Sequence, residues 1–150
     1  MKPFSRILCT VDLSEHSKIV AEYACMLAKS MDAQVDVLYV APTLSQYVGF
    51  HVPPSSIENF VGEIVEGAEK SMATFVAENF QGVKAAGKVV TGYAAEEIIL
   101  YANTMKVDLI IMGTHGRKGL DRVLFGSVAE KVVKTASQPV LTIRPFIEED

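Results

Sequence analysis

Apolar residues along this chain alternate between two rhythms. Short, nearly continuous apolar runs occupy Ile7–Val11, Val35–Val40, Val107–Met112 and Val140–Ile143. A strand covered on both faces of a parallel sheet reads this way, because neither face is left for polar residues. Lys84–Thr91 is a weaker run of the same kind, with Val89 and Val90 as its surest members. Between the runs the apolar positions recur with a helical period. Val20, Tyr23, Ala24, Leu27, Ala28 and Met31 share one face of a first helix, for which Ser14 is a suitable N-cap. Ile57, Phe60, Val61, Ile64, Val65, Ala68, Met72, Phe75 and Val76 form the longest stripe, and Ser55 with Glu58 has capping-box spacing at its start. Gly62 and Gly67 each weaken that helix by about 1 kcal/mol relative to alanine.

A third helix opens at Gly92, with Ala95, Ile98, Ile99, Ala102 and Met105 inward. A last one covers Ser127–Ala136, with Val128, Val132, Val133 and Ala136 in register. Pro42 closes the second strand, Pro139 precedes the fifth and Pro145 stops it. From Thr43 to Ser56 no period is visible, and Gly49, Pro53 and Pro54 mark a long surface loop. Strands alternating with helices require right-handed crossovers, so the expected fold is α/β: a doubly wound, open, five-stranded parallel sheet with helices on both faces.

Composition narrows the class. The chain has 150 residues, 49% apolar and 21% charged, which suits one globular domain spanning 1–150. A net charge of −4 argues against nucleic acid as the main partner. No apolar run approaches the roughly 20 residues that span a bilayer, so no membrane partner is expected. The segment Met1–Arg6 leads into an apolar run too short for a signal-peptide core, so the expected location is cytoplasmic. Cys9 and Cys25 lack metal or redox spacing; Cys9 reads as a small buried hydrophobe, and no disulfide is expected. The terminal Ile147–Asp150 is a short acidic tail.

In open parallel sheets ligands bind beyond the C-terminal strand ends, where the strand order reverses. That rule selects Thr10, Val11 and Asp12, then Val40 and Ala41, then Thr91 and Gly92, and the segment from Gly113 onward. Here the chain reads Gly113-Thr114-His115-Gly116, nine further residues, then Gly126-Ser127. Glycines admit a ligand to the main chain, and a helix start supplies unpaired N–H groups and a favourable dipole for phosphate. Ser127 and Glu130 also have capping-box spacing, which alone would account for both residues.

Other nucleotide signatures are missing. There is no GxxxxGK[ST], no GxGxxG after the first strand, no glycine or threonine cluster in the first turn for a flavin phosphate, and only Asp12 for a phosphoacceptor site. HxGH and SGGxDS are absent too. His115 lacks a partner carboxylate in the sequence and is not assigned as a catalyst. Arg117, Lys118 and Arg122 could offset phosphate charge, while His16 and His51 have no assigned role.

The segment from Gly113 through Ile143, together with the opening Ile7–Ser14, strongly resembles the universal stress protein family. Its ATP-binding branch carries Gly-x2-Gly-x9-Gly-[Ser/Thr], which this chain matches without a gap. The resemblance implies a Rossmann-like, adenine nucleotide alpha hydrolase-like sheet ordered 3-2-1-4-5. It also implies ATP as cofactor, with Mg or Mn on the phosphates and no protein-only metal site. Asp12 and the main chain near Val40 would serve adenine and ribose. Met112, Gly113, Gly116, Arg117, Gly126, Ser127 and Val128 would line the ribose and phosphate side, and Thr10, Val11 and His115 complete the implied set. The family likeness further implies a regulatory homodimer built partly on the edge strand Val140–Ile143, acting in stress response without robust catalysis. A slow ATP-hydrolysing or nucleotidyl-transferring enzyme of the same fold is the alternative. Neither the stress nor the downstream protein partner is named by these residues.

Overall fold

The computed structural model describes residues 3–43, 54–114 and 126–145. Five strands and four helices alternate along them: β1 Arg6–Thr10, α1 Ser17–Met31, β2 Gln34–Ala41, α2 Pro54–Asn79, β3 Ala85–Thr91, α3 Ala94–Thr104, β4 Leu109–Gly113, α4 Ser127–Thr135 and β5 Val140–Ile143. The strands form one sheet in the order β3-β2-β1-β4-β5, and every pairing is parallel.

The continuous apolar runs are explained by this order. β1, β2 and β4 are interior strands, and Ile7, Leu8, Cys9, Val35, Val37, Leu38, Ile110 and Ile111 are almost fully buried. Odd positions of β1 and β4 face one way. Ile7, Cys9, Leu109 and Ile111 pack with Val20, Ala21, Ala24 and Ala28 of α1 and Met72 of α2. Even positions face the other way: Leu8, Ile110 and Met112 pack with Ala95, Ile98 and Ala102 of α3 and Ala129 and Val132 of α4. Cys9 lies wholly inside, and burial pushes its thiol up to about 12, so it behaves as the expected hydrophobe. Both cysteines are free.

β3 is the poorer strand because α2 presses against it. At Gly87 an added Cβ would lie 2.4 Å from Met72 Cγ and 3.1 Å from Val76 Cγ2, so the missing side chain sets the helix-to-sheet distance. A buried carboxylate sits in the interior of the sheet. Asp36 of β2 accepts from Arg6 Nε at 2.8 Å and from Tyr101 Oη at 3.0 Å, which satisfies it locally.

Several local expectations need correction. Ser14 does not cap α1: the helix begins at Ser17, its N-cap position is His16 without a side-chain bond, and the Ser14 hydroxyl donates to Asp12 Oδ1. Tyr23 is exposed rather than inward, and the small residues Ala21 and Ser17 take the buried face. α2 begins at Pro54, so Ser55 already lies within the helix. Phe60 is half exposed, while the buried part of the stripe is Ala68 and Met72. α3 starts at Ala94 after the N-cap position Tyr93, two residues beyond Gly92. β4 starts at Leu109 rather than Val107. Val128 and Val133 are exposed on the flanks of α4, and Ala129 replaces them inside.

Candidate functional site

The crevice follows from the direction in which the chain leaves each strand. After β1 it turns to α1 on one face of the sheet; after β4 it turns to α4 on the other. β1 and β4 are neighbours, so their two exits diverge at the C-terminal strand ends, the switch point at which open parallel sheets bind ligands.

On the β1 side, Thr10 ends the strand and Val11 is buried, its N–H donating to the Leu38 carbonyl at 2.9 Å. Asp12 follows as an organised acceptor. Its Oδ1 receives the Ser14 N–H at 3.0 Å, the Ser14 hydroxyl at 2.5 Å and the Ser17 hydroxyl at 2.9 Å. Ser17 Oγ also accepts the Asp12 N–H at 3.2 Å. Leu13, between them, has φ 62, a left-handed conformation uncommon for a branched side chain.

On the β4 side, Met112 is buried and Gly113 is half-buried at the strand end, paired with Thr142 and Ile143 of β5. Thr114 N–H donates to the Ile143 carbonyl at 2.9 Å, and the Gly126 N–H donates to the Thr114 carbonyl at 2.7 Å. That second bond brings the start of α4 directly against the end of β4. Gly126 is the N-cap residue, and an added Cβ there would stand 3.0 Å from the Thr114 carbonyl oxygen. Ser127 is the first helical residue and is exposed, with no side-chain cap bond at this terminus. The first intrahelical bond runs from Glu130 N–H to the Gly126 carbonyl at 3.0 Å. The amides of Ser127, Val128 and Ala129 therefore have no acceptor within the helix.

The capping-box explanation of Ser127 and Glu130 fails here. Glu130 turns along the helix to Lys134, 2.7 Å away, and that hydrogen bond holds its carboxyl below the usual range. The only acid in the first turn of α4 is thus paired with a cation.

Val40 sits on β2, next to β1, paired with Val90 and half-buried. Thr91 ends the edge strand β3, two strands away from β1, and Gly92 follows it, so neither is part of the β1/β4 crevice. Gly92 has φ 150 and lies under the Glu97 side chain, which accounts for it structurally. His115, Gly116 and Arg117 lie outside the described residues, as do Lys118, Arg122, His51 and most of the Thr43–Ser56 loop. Among the described residues no group of three His, Cys, Asp or Glu side chains could hold a metal ion. No helix there is long and apolar enough to cross a membrane. Sequence reasoning missed Ser14 and Ser17 as holders of Asp12; their Asp-x-Ser-x-x-Ser spacing was the available signal.

The family model described as the universal stress protein family matches residues 3–144. The chain belongs to that family. Over 143 residues it is 36% identical to universal stress protein MJ0531 of Methanocaldococcus jannaschii, covering 94% of this chain and 82% of that one. Its structure is similar to that of MJ0577 from the same organism, with TM-score 0.84 and 27% identity over 98% of this chain and 100% of that one. A universal stress protein from Archaeoglobus fulgidus solved in complex with dAMP shares the fold, with TM-score 0.66 and 20% identity over 95% of this chain and 100% of that one.

Proposed function

We propose that this universal stress protein binds ATP in the β1/β4 crevice and works as a regulatory homodimer rather than an enzyme. The observation that carries this reading is the Gly126–Thr114 contact. It sets a glycine, a hydroxyl and three helix-start amides beside the end of β4, where polyphosphate gains from unpaired N–H groups and the helix dipole. The residues fit such a ligand. Gly126, with no Cβ to press on the Thr114 carbonyl, lets the start of α4 close against β4, and Ser127 adds an exposed hydroxyl. Asp12, Val40 and the β1 end lie on the nucleoside side. Mg or Mn would ride on the phosphates. Further support comes from the relative solved with dAMP and from the unbroken glycine motif.

The non-enzymatic part rests on the family likeness and on the lack of a catalytic signature such as HxGH or SGGxDS in the sequence. A turnover near about 10 per second would overturn this part and favour the hydrolase or nucleotidyl-transfer alternative. The dimer reading rests on the β5 edge. Val140–Ile143 carries no charge, and Leu141 within it is exposed, the condition under which an edge pairs with another chain.

Isothermal titration with Mg·ATP tests the binding directly. Saturable binding at or below millimolar ATP is expected, and none at that concentration would remove the assignment. Native mass spectrometry of the protein as purified reads both carried nucleotide and oligomeric state.

A further inference from the structure

Ser17 has a buried hydroxyl tied to a single neighbour. It is 3% exposed and does not cap its own helix. Its Oγ donates to Asp12 Oδ1 at 2.9 Å and accepts the Asp12 N–H at 3.2 Å. One side chain thereby fixes both the main chain and the carboxylate of Asp12. The Ser17 N–H donates to the Ser14 carbonyl at 3.0 Å, and Ser14 supplies two more donors to the same Asp12 oxygen. These bonds span Leu13, whose left-handed backbone persists only where its surroundings over-determine it.

We infer that Ser17 is a positioning residue for nucleoside recognition: it locks Asp12 at the end of β1 as an acceptor of fixed direction. Because Ser17 acts through Asp12, its role rests on the adenine-nucleotide reading of the β1/β4 crevice. An ionised carboxylate only accepts hydrogen bonds. It therefore rewards a ligand carrying amino or hydroxyl donors on its base or ribose. A bare polyphosphate, made of acceptors, gains nothing from it. Holding the carboxylate in one rotamer beforehand lowers the ordering cost of binding. The β1 side then supplies selection for the nucleoside, while the β4/α4 side supplies affinity for phosphate.

The test is calorimetric titration of the full chain with Mg·ATP and, separately, with Mg·tripolyphosphate. Ser17→Ala is expected to weaken ATP about tenfold, the loss typical of a hydrogen bond to a charged group, and to leave tripolyphosphate unchanged. Ser17→Thr, which keeps the hydroxyl, should restore most of the ATP affinity. In an Asp12→Asn background Ser17→Ala should add no further loss, since coupled residues are not additive. Should Ser17→Ala fail to fold, Ser14→Ala removes a less buried member of the same clamp and should shift ATP in the same direction. Unchanged ATP affinity, equal losses for both ligands, or additive losses would overturn the clamp while leaving the ATP site standing. A wild-type chain that binds no ATP would instead overturn the site, and the clamp with it.

Discussion

The two ends of the sheet differ in how their polar groups are answered. At the N-terminal ends of the strands there is a cavity of about 660 Å³, lined by Arg6, Lys29, Asp32, Lys84, Lys106 and Asp108 among others. Volume alone would favour it as the binding site. Yet its main-chain groups are already served: Asp108 Oδ2 accepts the Ser5 and Arg6 amides, both at 2.9 Å, and the Ser5 hydroxyl at 3.0 Å. The C-termini of α1 and α3 also point there, through Asp32 and Lys106 with φ 51 and 52. Those helix ends carry partial negative charge, which the lysines offset. At the C-terminal strand ends the helix dipole has the opposite sign, glycine replaces side chains at Gly113 and Gly126, and the first amides of α4 have no acceptor within the helix. The contrast favours the C-terminal end for the proposed anion site, on dipole sign and helix-start amides rather than on empty space.

Substitutions can break this contrast, and the largest effect should come from Gly126→Val. Its branched side chain must displace the Thr114 carbonyl, 3.0 Å from the first added carbon, and block the start of α4. The expected loss of ATP affinity is on the order of a hundredfold, about 2.7 kcal/mol, with the circular dichroism spectrum retained. Intact binding in calorimetry would move the phosphate site away from this helix. At the opposite end, Asp108→Ala should cost about 2–3 kcal/mol of stability in urea unfolding, because two backbone amides and a hydroxyl lose their acceptor. ATP affinity should not change. Loss of binding there would erase the distinction between the two ends.

Smaller effects sharpen the background. Gly62 and Gly67 face open space in α2, so alanine at either should stabilise by about 0.5–1 kcal/mol without touching nucleotide affinity. Thermal unfolding reads this as a rise in midpoint. The smallest effect concerns Tyr101, whose phenol is raised above its usual value by burial first and then by the Asp36 charge. A raised folded value means that the contribution is whole below the unfolded pKa, near 10, and fades as pH rises from there through the folded value. Tyr101→Phe should flatten the alkaline decline in stability measured between about pH 9 and 12.

Much of this architecture was readable from hydrophobic rhythm. Interior strands announce themselves because burial on both faces disfavours polar positions; β4 follows this throughout, and β1 and β2 depart from it chiefly at Arg6 and Asp36, which pair with each other. The weak β3 was weak for a reason visible only in three dimensions: Gly87 yields its side-chain space to Met72. Tyr23, Val128 and Val133 fit helical stripes yet lie outside, since periodicity identifies an amphipathic face but not how far the sheet beneath it extends. The candidate site was legible as far as glycines and strand ends reveal it. What escaped notice was which hydroxyl serves which carboxylate. Ser14 had equal claim to a helix cap or to Asp12, and only the turn geometry decides. In the same way Ser127 and Glu130 matched a capping box, but the N-cap is Gly126, one residue earlier, and Glu130 pairs with Lys134.

Hydrogen exchange measured by mass spectrometry, with and without saturating Mg·ATP, tests the central claim most directly. Nucleotide should slow exchange in peptides covering residues 10–14 and 126–130, and leave 28–34 and 105–108 as they were. Protection confined to the second pair, at the wide cavity beneath the strands, would contradict a nucleotide held between the ends of β1 and β4.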